Sequence, residues 1–592
     1  MQHTGVLGHV NSVRGCQANV GLPGASPHGP EETRATVGKF LGVCANKSLL
    51  IGLITDVSLQ PDPVRPQHPV ATAQLELIGE IENYESAAAA FQRGVTTYPA
   101  IGDTVTFLGA RELRLIFHSS SSRMIEIGHL QQDSSIAARL DVDEMVSKHF
   151  AVLGTTGVGK SSAVALLLQQ IIDGRPDLRF FVLDVHNEYS RCFAEQALVL
   201  NPNNLKLPFW LFNFDEIVDV FFGARPGLEE EIDILSEVIP LAKSSYAQQL
   251  SATGRLNTKG ETGARYTLDI PLPYRVADLI SILDARMGKL ENRASRMVYH
   301  KLITRIESVC NDPRYGFMFE NANVGGDTMT QTLATLFRLP PNGRPMTIMQ
   351  LAGFPSEVID AVVSVTCRMA FDLGLWSDGT NPILLVCEEA HRYMAADHSI
   401  GFAPTRRAIS RIAKEGRKYG VFLGLITQRP AELDPTILSQ CSTLFAMRMT
   451  NERDQSLLRS AVADTAANLL AFLPSLGTGE ALGFGEGVAL PTRLKFKQLP
   501  AQLLPKSDTI NIGDIGPASA KAPLSLTSVV ERWRGRILET SPRPETASAP
   551  LTSAPAAPGA AALDPNRFRL LKKPLDQQTL SGSWDKTIAP HR

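Results

Sequence analysis

Short apolar runs alternate with longer segments of helical periodicity from residue 148 onward, and this alternation dominates the pattern of hydrophobic and polar positions. Runs that are apolar at every position are typical of parallel strands covered by helices on both faces. Segments with an apolar residue every three or four positions predict the covering helices. The pattern therefore predicts a doubly wound, mostly parallel α/β domain, with strands at 150–153, 180–183, 346–351, 383–387, 421–426 and 444–449.

The first 135 residues show a different pattern. Their apolar runs are short and are separated by turn signals, and Tyr84–Gln92 is the one segment with convincing helical periodicity. Short strands at regular spacing are typical of a small β-barrel. We expect strands of this barrel at 40–45, 49–57, 72–81 and 104–108.

A long stretch separates the second predicted strand of the α/β domain from the third. It has helical periodicity at 212–222, 228–250 and 276–309, which predicts a largely helical insertion. Residues 541–562 are rich in Pro, Ala, Ser and Thr and are expected to be disordered. The predicted organisation is a barrel over 1–135, an α/β core over 136–200 and 345–500, a helical insertion over 201–344 and an extension over 501–592.

Composition narrows the class of protein. The formal net charge of −2 gives no global signature of a nucleic-acid binder, although basic residues can still be concentrated in a pore. The seven cysteines are scattered without a C-x-x-C pair, so we expect buried thiols rather than a zinc site or disulfides. The apolar runs are too short to span a bilayer, and residues 1–15 lack the apolar core of a signal peptide. We therefore expect a cytoplasmic protein without a membrane partner.

One glycine-rich turn joins a predicted strand to a predicted helix. Gly154, Gly159, Lys160 and Ser161 satisfy the pattern G-x-x-x-x-G-K-[ST] of a phosphate-binding loop, or P-loop. Such a loop directs backbone N–H groups and the positive end of a helix at a phosphate. We expect the lysine to reach the β- and γ-phosphates of ATP and the serine hydroxyl to hold Mg²⁺. The expected nucleotide-binding residues are Gly154, Thr155, Thr156, Gly157, Val158, Gly159, Lys160, Ser161 and Ser162.

Two adjacent carboxylates follow the predicted strand 383–387. A carboxylate at a strand tip can order Mg²⁺ through its water, and its neighbour can polarise a water for attack on the γ-phosphate. We assign Glu388 to the metal, together with Ser161, and Glu389 to the general base. Gln428 follows the next strand and is expected to sense the γ-phosphate, because an amide can donate to a phosphate oxygen and accept from water. The segment 184–189 is expected to line the site or a subunit interface.

A cluster of basic residues lies between positions 406 and 418, where six basic residues accompany one acidic residue, Glu415. One interpretation is an arginine finger that enters the nucleotide site of a neighbouring subunit. A second is contact with DNA phosphates in a channel, and a third is a solvated helix face. The residue pattern leaves all three open. The cluster consists of Arg406, Arg407, Arg411, Lys414, Arg417 and Lys418.

Several motifs together resemble the HerA family of hexameric DNA translocases, within the larger group of FtsK-like and VirB4-like motors. The resemblance covers roughly residues 1–500 and does not account for the later extension. The most telling motif is Thr427-Gln-Arg-Pro430, followed by Leu438-Ser-Gln-Cys441 and Asn451-Glu-Arg-Asp-Gln455. The others are Ser147–Ser161, Leu183–Tyr189, Val386–His391 and Glu415–Gly420.

The resemblance implies a RecA/FtsK-like ATPase core behind the barrel, and an ATP-driven, helicase-like homo-hexamer acting on double-stranded DNA. It also implies a nuclease or other effector partner, in DNA repair or antiviral defence. Arg417 matches the family motif and is expected to act in trans, with Arg411 as second candidate. Lys148 stands just before the P-loop strand, where many members have Arg; if that position contacts nucleotide, the substitution replaces a planar guanidinium fork with a point charge. Two alternatives stay open: an ATP-binding assembly platform for an effector enzyme, and a VirB4-like conjugation or secretion ATPase.

Overall fold

The computed structural model describes residues 6–22, 34–60, 70–118, 123–223, 228–252, 266–462 and 467–505, together with 526, 527 and 530. The chain divides into two compact units, Met1–Gly535 and Arg536–Arg592. The second unit lies outside the described residues, and so does the stretch 541–562 that the sequence predicts to be disordered.

The first sheet is a closed antiparallel barrel. Its strand order is β2-β1-β7-β3-β4-β5-β6, and β2 also pairs with β5, so six strands close on themselves and β6 is appended. The predicted barrel is thus confirmed, as are its four predicted strands. The strands are β1 (Val6–Arg14), β2 (Gln17–Gly21), β3 (Phe40–Ala45), β4 (Ser48–Gln60), β5 (Val70–Glu82), β6 (Ala90–Arg93) and β7 (Thr104–Phe107).

Alternating side chains fill the barrel, as the period of two in a strand requires. Strands β1 and β2 approach each other so closely that a Cβ on Gly8 would lie 1.8 Å from the Gly21 carbonyl oxygen. Only a residue without a side chain fits there. The inner core contains Leu7, Val10, Val20, Leu41, Val43, Leu50, Ile54, Leu75 and Val105.

The helix predicted for Tyr84–Gln92 is wrong. Residues 83–88 form turns, with Asn83 at a φ of +50°, and the end of the segment is strand β6. Its run of alanines favours a helix locally, but pairing of β6 with the end of β5 overrides that preference. The helix at this end of the barrel is instead α1 (Ala110–Phe117), where the Glu112 side chain accepts from the Gly109 N–H at 2.9 Å.

The second sheet has eleven strands in the order β12-β13-β11-β14-β15-β10-β16-β17-β18-β8-β9. The first seven pair in parallel and the remainder are antiparallel. The strands are β8 (Met124–Leu130), β9 (Ala137–Asp141), β10 (His149–Leu153), β11 (Arg179–Asp184), β12 (Ala197–Leu200), β13 (Met346–Gln350), β14 (Ile383–Cys387), β15 (Val421–Thr427), β16 (Cys441–Met447), β17 (Glu480–Gly485) and β18 (Thr492–Phe496).

The mostly parallel α/β sheet and its six predicted strands are confirmed. All five side chains of β10 and of β14 are buried, which is why both strands are continuous apolar runs. The sequence did not reveal β8, β9, β12, β17 or β18. The domain bounds stay a prediction, and strand β8, which falls within the range 1–135 assigned to the barrel, pairs with β18 in the second sheet.

Helices cover the second sheet and fill the insertion between β12 and β13. The segment 276–309 forms two helices rather than one, because Asn292 caps the second and its side chain accepts from the Ala294 N–H. The helices after α1 are α2 (Val142–Val146), α3 (Lys160–Gly174), α4 (Phe214–Phe222), α5 (Glu229–Ala252), α6 (Val276–Gly288), α7 (Arg293–Cys310), α8 (Gly316–Phe319), α9 (Met329–Leu336), α10 (Ile359–Trp376), α11 (Ala403–Glu415), α12 (Pro435–Leu438) and α13 (Glu452–Ala461).

Polar contacts from Arg93 and Phe40 join the barrel to the second sheet. Arg93 of β6 donates from Nε to the Ala489 carbonyl oxygen and from Nη2 to the Gly485 carbonyl oxygen, each at 2.8 Å. The Phe40 N–H of β3 donates to the Gln132 side chain at 2.9 Å. The turn between β17 and β18 therefore forms part of the surface on which the barrel packs.

Two other expectations from the sequence concern the burial of the cysteines and the lack of a membrane-spanning segment. Four of the cysteines are buried as expected, whereas Cys16 and Cys44 on the barrel are exposed. Within the part of the chain that the structure describes, every helix is too short or too polar to cross a bilayer.

Candidate nucleotide site

The P-loop is held between two strand ends. It connects the last residue of β10 to the first turn of α3. The Gly154 N–H donates to the Thr427 carbonyl oxygen at 3.3 Å, and the Thr155 N–H donates to the Arg448 carbonyl oxygen at 3.1 Å. These bonds attach the loop to the ends of β15 and β16, so its path is fixed by the sheet.

Glycine is required at two positions of the loop. Gly157 and Gly159 have φ values of +72° and +95°, a backbone conformation that side chains disfavour. A Cβ on Gly157 would have no atom within 4 Å, so open space lies beside the loop. On the other side, the Gly479 N–H donates to the Val158 carbonyl oxygen at 2.9 Å. The loop thus has a supported side and an open side, as a phosphate cradle needs.

Lys160 begins α3 and carries the positive charge of the site. Its Nζ donates to the Thr155 carbonyl oxygen at 2.7 Å. Burial lowers the pKa of its ammonium, while the charges of Glu389, Glu188 and Glu388 act in the opposite direction. A partly desolvated cation beside a helix N-terminus matches an anionic ligand such as phosphate.

Glu388 is tied to the end of the neighbouring strand. Its Oε2 accepts from the backbone N–H groups of Val185 at 2.9 Å and His186 at 3.3 Å. Burial raises the pKa of this carboxyl group, and the charges of Asp184 and Glu188 raise it further. The first carboxylate after β14 therefore belongs to an acidic group shared with the end of β11.

The segment 184–189 folds into a turn around its own first carboxylate. Asp184 accepts from the backbone N–H groups of Glu188 and Tyr189, both at 3.1 Å. The Tyr189 ring is fully buried, and its hydroxyl lies beside Ser161 at the start of α3. The segment thus lines the floor of the site. Among the described residues, no three His, Cys, Asp or Glu side chains form a group that could hold a metal ion by themselves.

Glu389 stands in a strained position. Its φ of +48° is left-handed, and its side chain is buried. Strain of this kind persists where the surrounding structure imposes it, often at functional sites. Oε1 lies 3.6 Å from His186 Nε2, and Oε2 lies 3.2 Å from His391 Nδ1. Burial acts to raise the pKa of Glu389, but His391, Lys160 and a backbone amide outweigh it and lower the pKa overall.

Gln428 follows β15, the strand that lies between the P-loop strand and the carboxylate strand. Leu153, the last residue of β10, is paired with Thr427, and β14 runs along the other side of β15. The Gln428 side chain is half-buried, and its backbone N–H lies near enough to Glu389 to lower the pKa of that carboxylate. The structure therefore brings Lys160, Gln428 and Glu389 to one edge of the sheet.

His391 and Thr427 belong to this site, but sequence reasoning gave neither a role. His391 Nδ1 lies 3.0 Å from Thr427 Oγ1, which also accepts from the Arg429 N–H at 3.0 Å. Both residues fall inside motifs that the sequence singled out. Their contact joins positions 36 residues apart, so no local pattern reveals it.

Three arginines of the basic cluster are engaged within the chain. The guanidinium carbon of Arg411 lies 4.1 Å from the centre of the Phe371 ring. This stacking buries one face of the second arginine-finger candidate. The other two contact neighbouring segments: Arg406 donates to the His398 carbonyl oxygen, and Arg407 pairs with the Asp215 carboxylate.

The other three members, Lys414, Arg417 and Lys418, are exposed and form no ion pair with the described residues. Arg417 lies on the turn that leads into β15, at the edge of the sheet opposite Gln428. A strand of seven residues spans roughly 23 Å at 3.3 Å per residue. Arg417 therefore lies far from the P-loop of its own chain.

Lys148 also lies at that opposite edge. Its Nζ is 2.5 Å from a carboxylate oxygen of Glu486, on the turn between β17 and β18. The residue precedes β10, whereas the P-loop follows that strand. Lys148 therefore contacts the antiparallel part of the sheet and does not contact the P-loop of its own chain.

Known proteins resemble this chain over most of its described length. The family model for the central domain of helicase HerA matches residues 125–370. A probable helicase of Methanocaldococcus jannaschii is 26% identical over 447 residues, covering 72% of this chain and 79% of the relative. The DNA double-strand break repair helicase HerA of Pyrococcus furiosus is 25% identical over 457 residues, covering 72% and 78%. The solved structure of VirB4 from Thermoanaerobacter pseudethanolicus has a TM-score of 0.42 and 14% identity, covering 65% of this chain and 99% of that one.

A P-loop at the end of one strand, with carboxylates two strands away and a polar strand tip between them, defines a P-loop ATPase. The family model and the relatives refine that class. Residues 125–370 match the central domain of the HerA helicase family, and the relatives extend the similarity to helicases of this type over 72% of the chain.

Proposed function

We propose that this chain is an ATP-driven motor that assembles as a hexamer and translocates along, or unwinds, double-stranded DNA. The order of three strand ends carries the proposal. Because β15 lies between β10 and β14, the amide assigned to sensing the γ-phosphate stands between the phosphate cradle and the carboxylate assigned to activating water. A structural change that accompanies hydrolysis at this edge of the sheet can then pass along β15.

The residues of the P-loop fit a bound nucleoside triphosphate with Mg²⁺. Lys160 supplies a partly buried cation, the fifteen-residue helix α3 directs its N-terminus at the loop, and Gly157 leaves open space beside the loop. Ser161 and Glu388 would hold the metal, directly or through water. When bound, Mg²⁺ neutralises charge on the β- and γ-phosphates.

Glu389 is proposed to accept the proton of the attacking water. Its lowered pKa keeps it a carboxylate at neutral pH, as a general base must be. Gln428 is proposed to donate to a γ-phosphate oxygen and to orient the same water through its carbonyl. Lys160 would hold the β- and γ-phosphates in line with that water. Each of these groups reaches the reaction from a different element, so correct geometry depends on the sheet.

Arg417 is proposed to complete the site of the next protomer. It is exposed, it forms no ion pair with the described residues, and a whole strand length separates it from its own P-loop. An arginine with these properties can act on a nucleotide only in trans, which requires an oligomer. Arg411 is the weaker candidate because its guanidinium is stacked on Phe371.

The relatives support a DNA substrate, whereas the partner protein is proposed from the motifs that resemble the HerA family. Several are named as DNA double-strand break repair helicases, which supports a double-stranded DNA substrate for this chain. We propose a nuclease or another effector as the partner protein, in DNA end processing or in antiviral defence. Exposed Lys414 and Lys418 are available for phosphate contacts in a channel.

The proposal is tested by the ATPase rate with and without linear duplex DNA, for the wild type and for Glu389→Gln. We expect DNA to stimulate turnover, and the variant to lose it by about 10²–10⁴-fold while still binding ATP, since loss of a general base has that effect. Native mass measurement with ATP should give six copies. Turnover indifferent to DNA would contradict the motor and favour a platform that activates an effector enzyme.

A further inference from the structure

The His391 ring lies between the two strand ends on which the proposed hydrolysis depends. Its Nδ1 is 3.2 Å from Glu389 Oε2 on one side and 3.0 Å from Thr427 Oγ1 on the other. Thr427 is the residue immediately before Gln428. One imidazole nitrogen therefore contacts both the proposed general base and the strand end that carries the proposed γ-phosphate sensor.

We infer that His391 is a positioning residue, which links the orientation of the Glu389 carboxylate to the conformation of the strand end that carries Gln428. The inference rests on the proposed function, because the roles of Glu389 and Gln428 are proposed there. It adds a residue that touches neither the phosphate nor the attacking water. His391 would affect ATP turnover only by orienting the Glu389 carboxylate.

The hydrogen on His391 Nδ1 has two competing acceptors. A carboxylate only accepts, so the nitrogen that faces Glu389 carries a hydrogen. In the structure the hydrogen bond is made with Thr427, and Glu389 Oε2 is buried without a hydrogen-bond partner among the described residues. Moving the N–H toward Glu389 would satisfy that oxygen. The buried carboxylate oxygen thus favours a second arrangement of the same three side chains.

Thr427 is attached to the P-loop as well as to His391. Its carbonyl oxygen accepts from the Gly154 N–H at 3.3 Å, and its side chain is fully buried. A displacement of the P-loop on nucleotide binding would therefore reach Thr427 through this bond. It would then change the acceptor available to His391. The left-handed backbone of Glu389 leaves its carboxylate dependent on such side-chain contacts for its direction.

The test compares His391→Ala and His391→Asn with the wild type. We expect His391→Ala to lower kcat on the order of 10²-fold, as a small misplacement of a reacting group does. KM and the affinity for a non-hydrolysable ATP analogue should stay within about twofold, because the phosphate contacts are intact. His391→Asn should recover most of the loss, since the Asn amide can donate from nearly the position of Nδ1. A purely structural role would not give this division between kcat and binding.

His398→Ala is the matched control. Its Nε2 also faces a carboxylate, 3.4 Å from Asp434 Oδ2, but this pair does not include the proposed general base. Its kcat should equal that of the wild type. Thr427→Val and Thr427→Ser provide a second pair, in which only the valine removes the acceptor. We expect the valine variant to lower kcat, and the serine variant to retain it.

A double-variant cycle decides whether His391 acts through Glu389. If it does, His391→Ala causes little further loss in the Glu389→Gln background, because coupled residues are not additive. A further 10²-fold loss there, or full activity of His391→Ala alone, would overturn the inference and leave the proposed function standing. Normal turnover of Glu389→Gln would overturn the proposed function itself, and with it the role of His391.

Discussion

Lys160 Nζ donates a 2.7 Å hydrogen bond to the Thr155 carbonyl oxygen, five residues earlier in the same loop. In this contact a partly buried ammonium group donates to a neutral acceptor. A phosphate oxygen is a charged acceptor, and charge-assisted hydrogen bonds are shorter and stronger than neutral ones. A nucleotide can therefore replace the Thr155 carbonyl as the partner of this lysine.

Lys160→Ala should weaken ATP binding by about 10–100-fold, because a hydrogen bond to a charged group contributes roughly 1.5–3 kcal/mol. Equilibrium titration with a fluorescent ATP analogue measures this. Lys148→Ala is the matched control at the other end of β10, where the lysine pairs with Glu486, and its affinity should not change. Wild-type affinity of Lys160→Ala would contradict the assigned role of the P-loop lysine.

Arg417→Ala should preserve assembly but lower ATP turnover on the order of 10³-fold, the effect of removing an arginine finger. Steady-state ATPase assays and native mass measurement separate the two properties. Lys418→Ala is the control, since it removes a charge from the next residue on the same turn. Equal losses in both variants would indicate a general effect of positive charge at this surface.

Mixed assemblies test whether Arg417 acts in trans. Arg417→Ala and Lys160→Ala protomers are each expected to be inactive alone. In a mixed ring, some interfaces combine an intact P-loop from the first with an intact arginine from the second, so partial turnover should return. If mixing restores nothing, although mass measurement detects mixed rings, the arginine does not complete a neighbour's site.

His149 should make the core less stable at mildly acidic pH. The buried ring donates from Nε2 to the Ala413 carbonyl oxygen at 3.0 Å, and its Nδ1 accepts from the Leu423 N–H at 2.9 Å, so it is held neutral. Burial lowers its pKa below the ordinary 6.5. Near pH 6.5, His149 therefore binds a proton in the unfolded chain but stays neutral in the folded chain. Stability from this ring is complete above pH 6.5 and falls as the pH drops toward the folded pKa, by at most about 1.4 kcal/mol per pH unit.

The measurement for His149 is the urea midpoint of the core between pH 5 and 8, for the wild type and for His149→Gln. Glutamine can still donate and accept but does not titrate, so the difference between the two curves isolates the histidine. The curves should separate only below about pH 6.5, the ordinary pKa of histidine. Parallel curves across the whole range would show that His149 does not contribute to acid sensitivity.

Arg93→Ala should loosen the barrel from the second sheet. It removes two 2.8 Å hydrogen bonds to backbone carbonyl groups, a loss on the order of 1 kcal/mol because these bonds are exposed to solvent. Hydrogen exchange should accelerate in β6 and in residues 485–491, while β10 and β14 keep their protection. Arg111→Ala, which removes an exposed arginine stacked 5.5 Å from the Tyr84 ring, should change exchange less. Unchanged exchange in Arg93→Ala would mean that the barrel is seated by apolar packing alone.

The sequence was informative where one local rule decides the structure. The P-loop pattern and the continuous apolar runs of β10 and β14 need only their immediate neighbours to be interpreted. Tyr84–Gln92 failed because pairing of its last residues with β5 outweighed the helix preference of its alanines. Strands β17 and β18 escaped notice because they are short and rich in Gly and charged residues, and pairing with β16 and β8 defines them.

The candidate site divides in the same way. Lys160 and Gln428 stand beside recognisable strands, so their meeting at one edge follows from parallel topology. The contact between His391 and Thr427 depends on how two strand ends turn after the sheet, which no residue spacing encodes. The left-handed backbone of Glu389 is equally invisible, since nothing in its neighbours demands that conformation.

Strand β8 precedes the P-loop in the chain, yet its partner β18 follows the whole core, with Leu130 opposite Leu494. On a ribosome, β8 and β9 are therefore made long before the strand that covers them. Until then the hairpin exposes an unpaired edge, a template on which another nascent chain can add. Strand β18, the last strand among the described residues, removes this hazard, so synthesis interrupted before β18 would produce chains prone to aggregate.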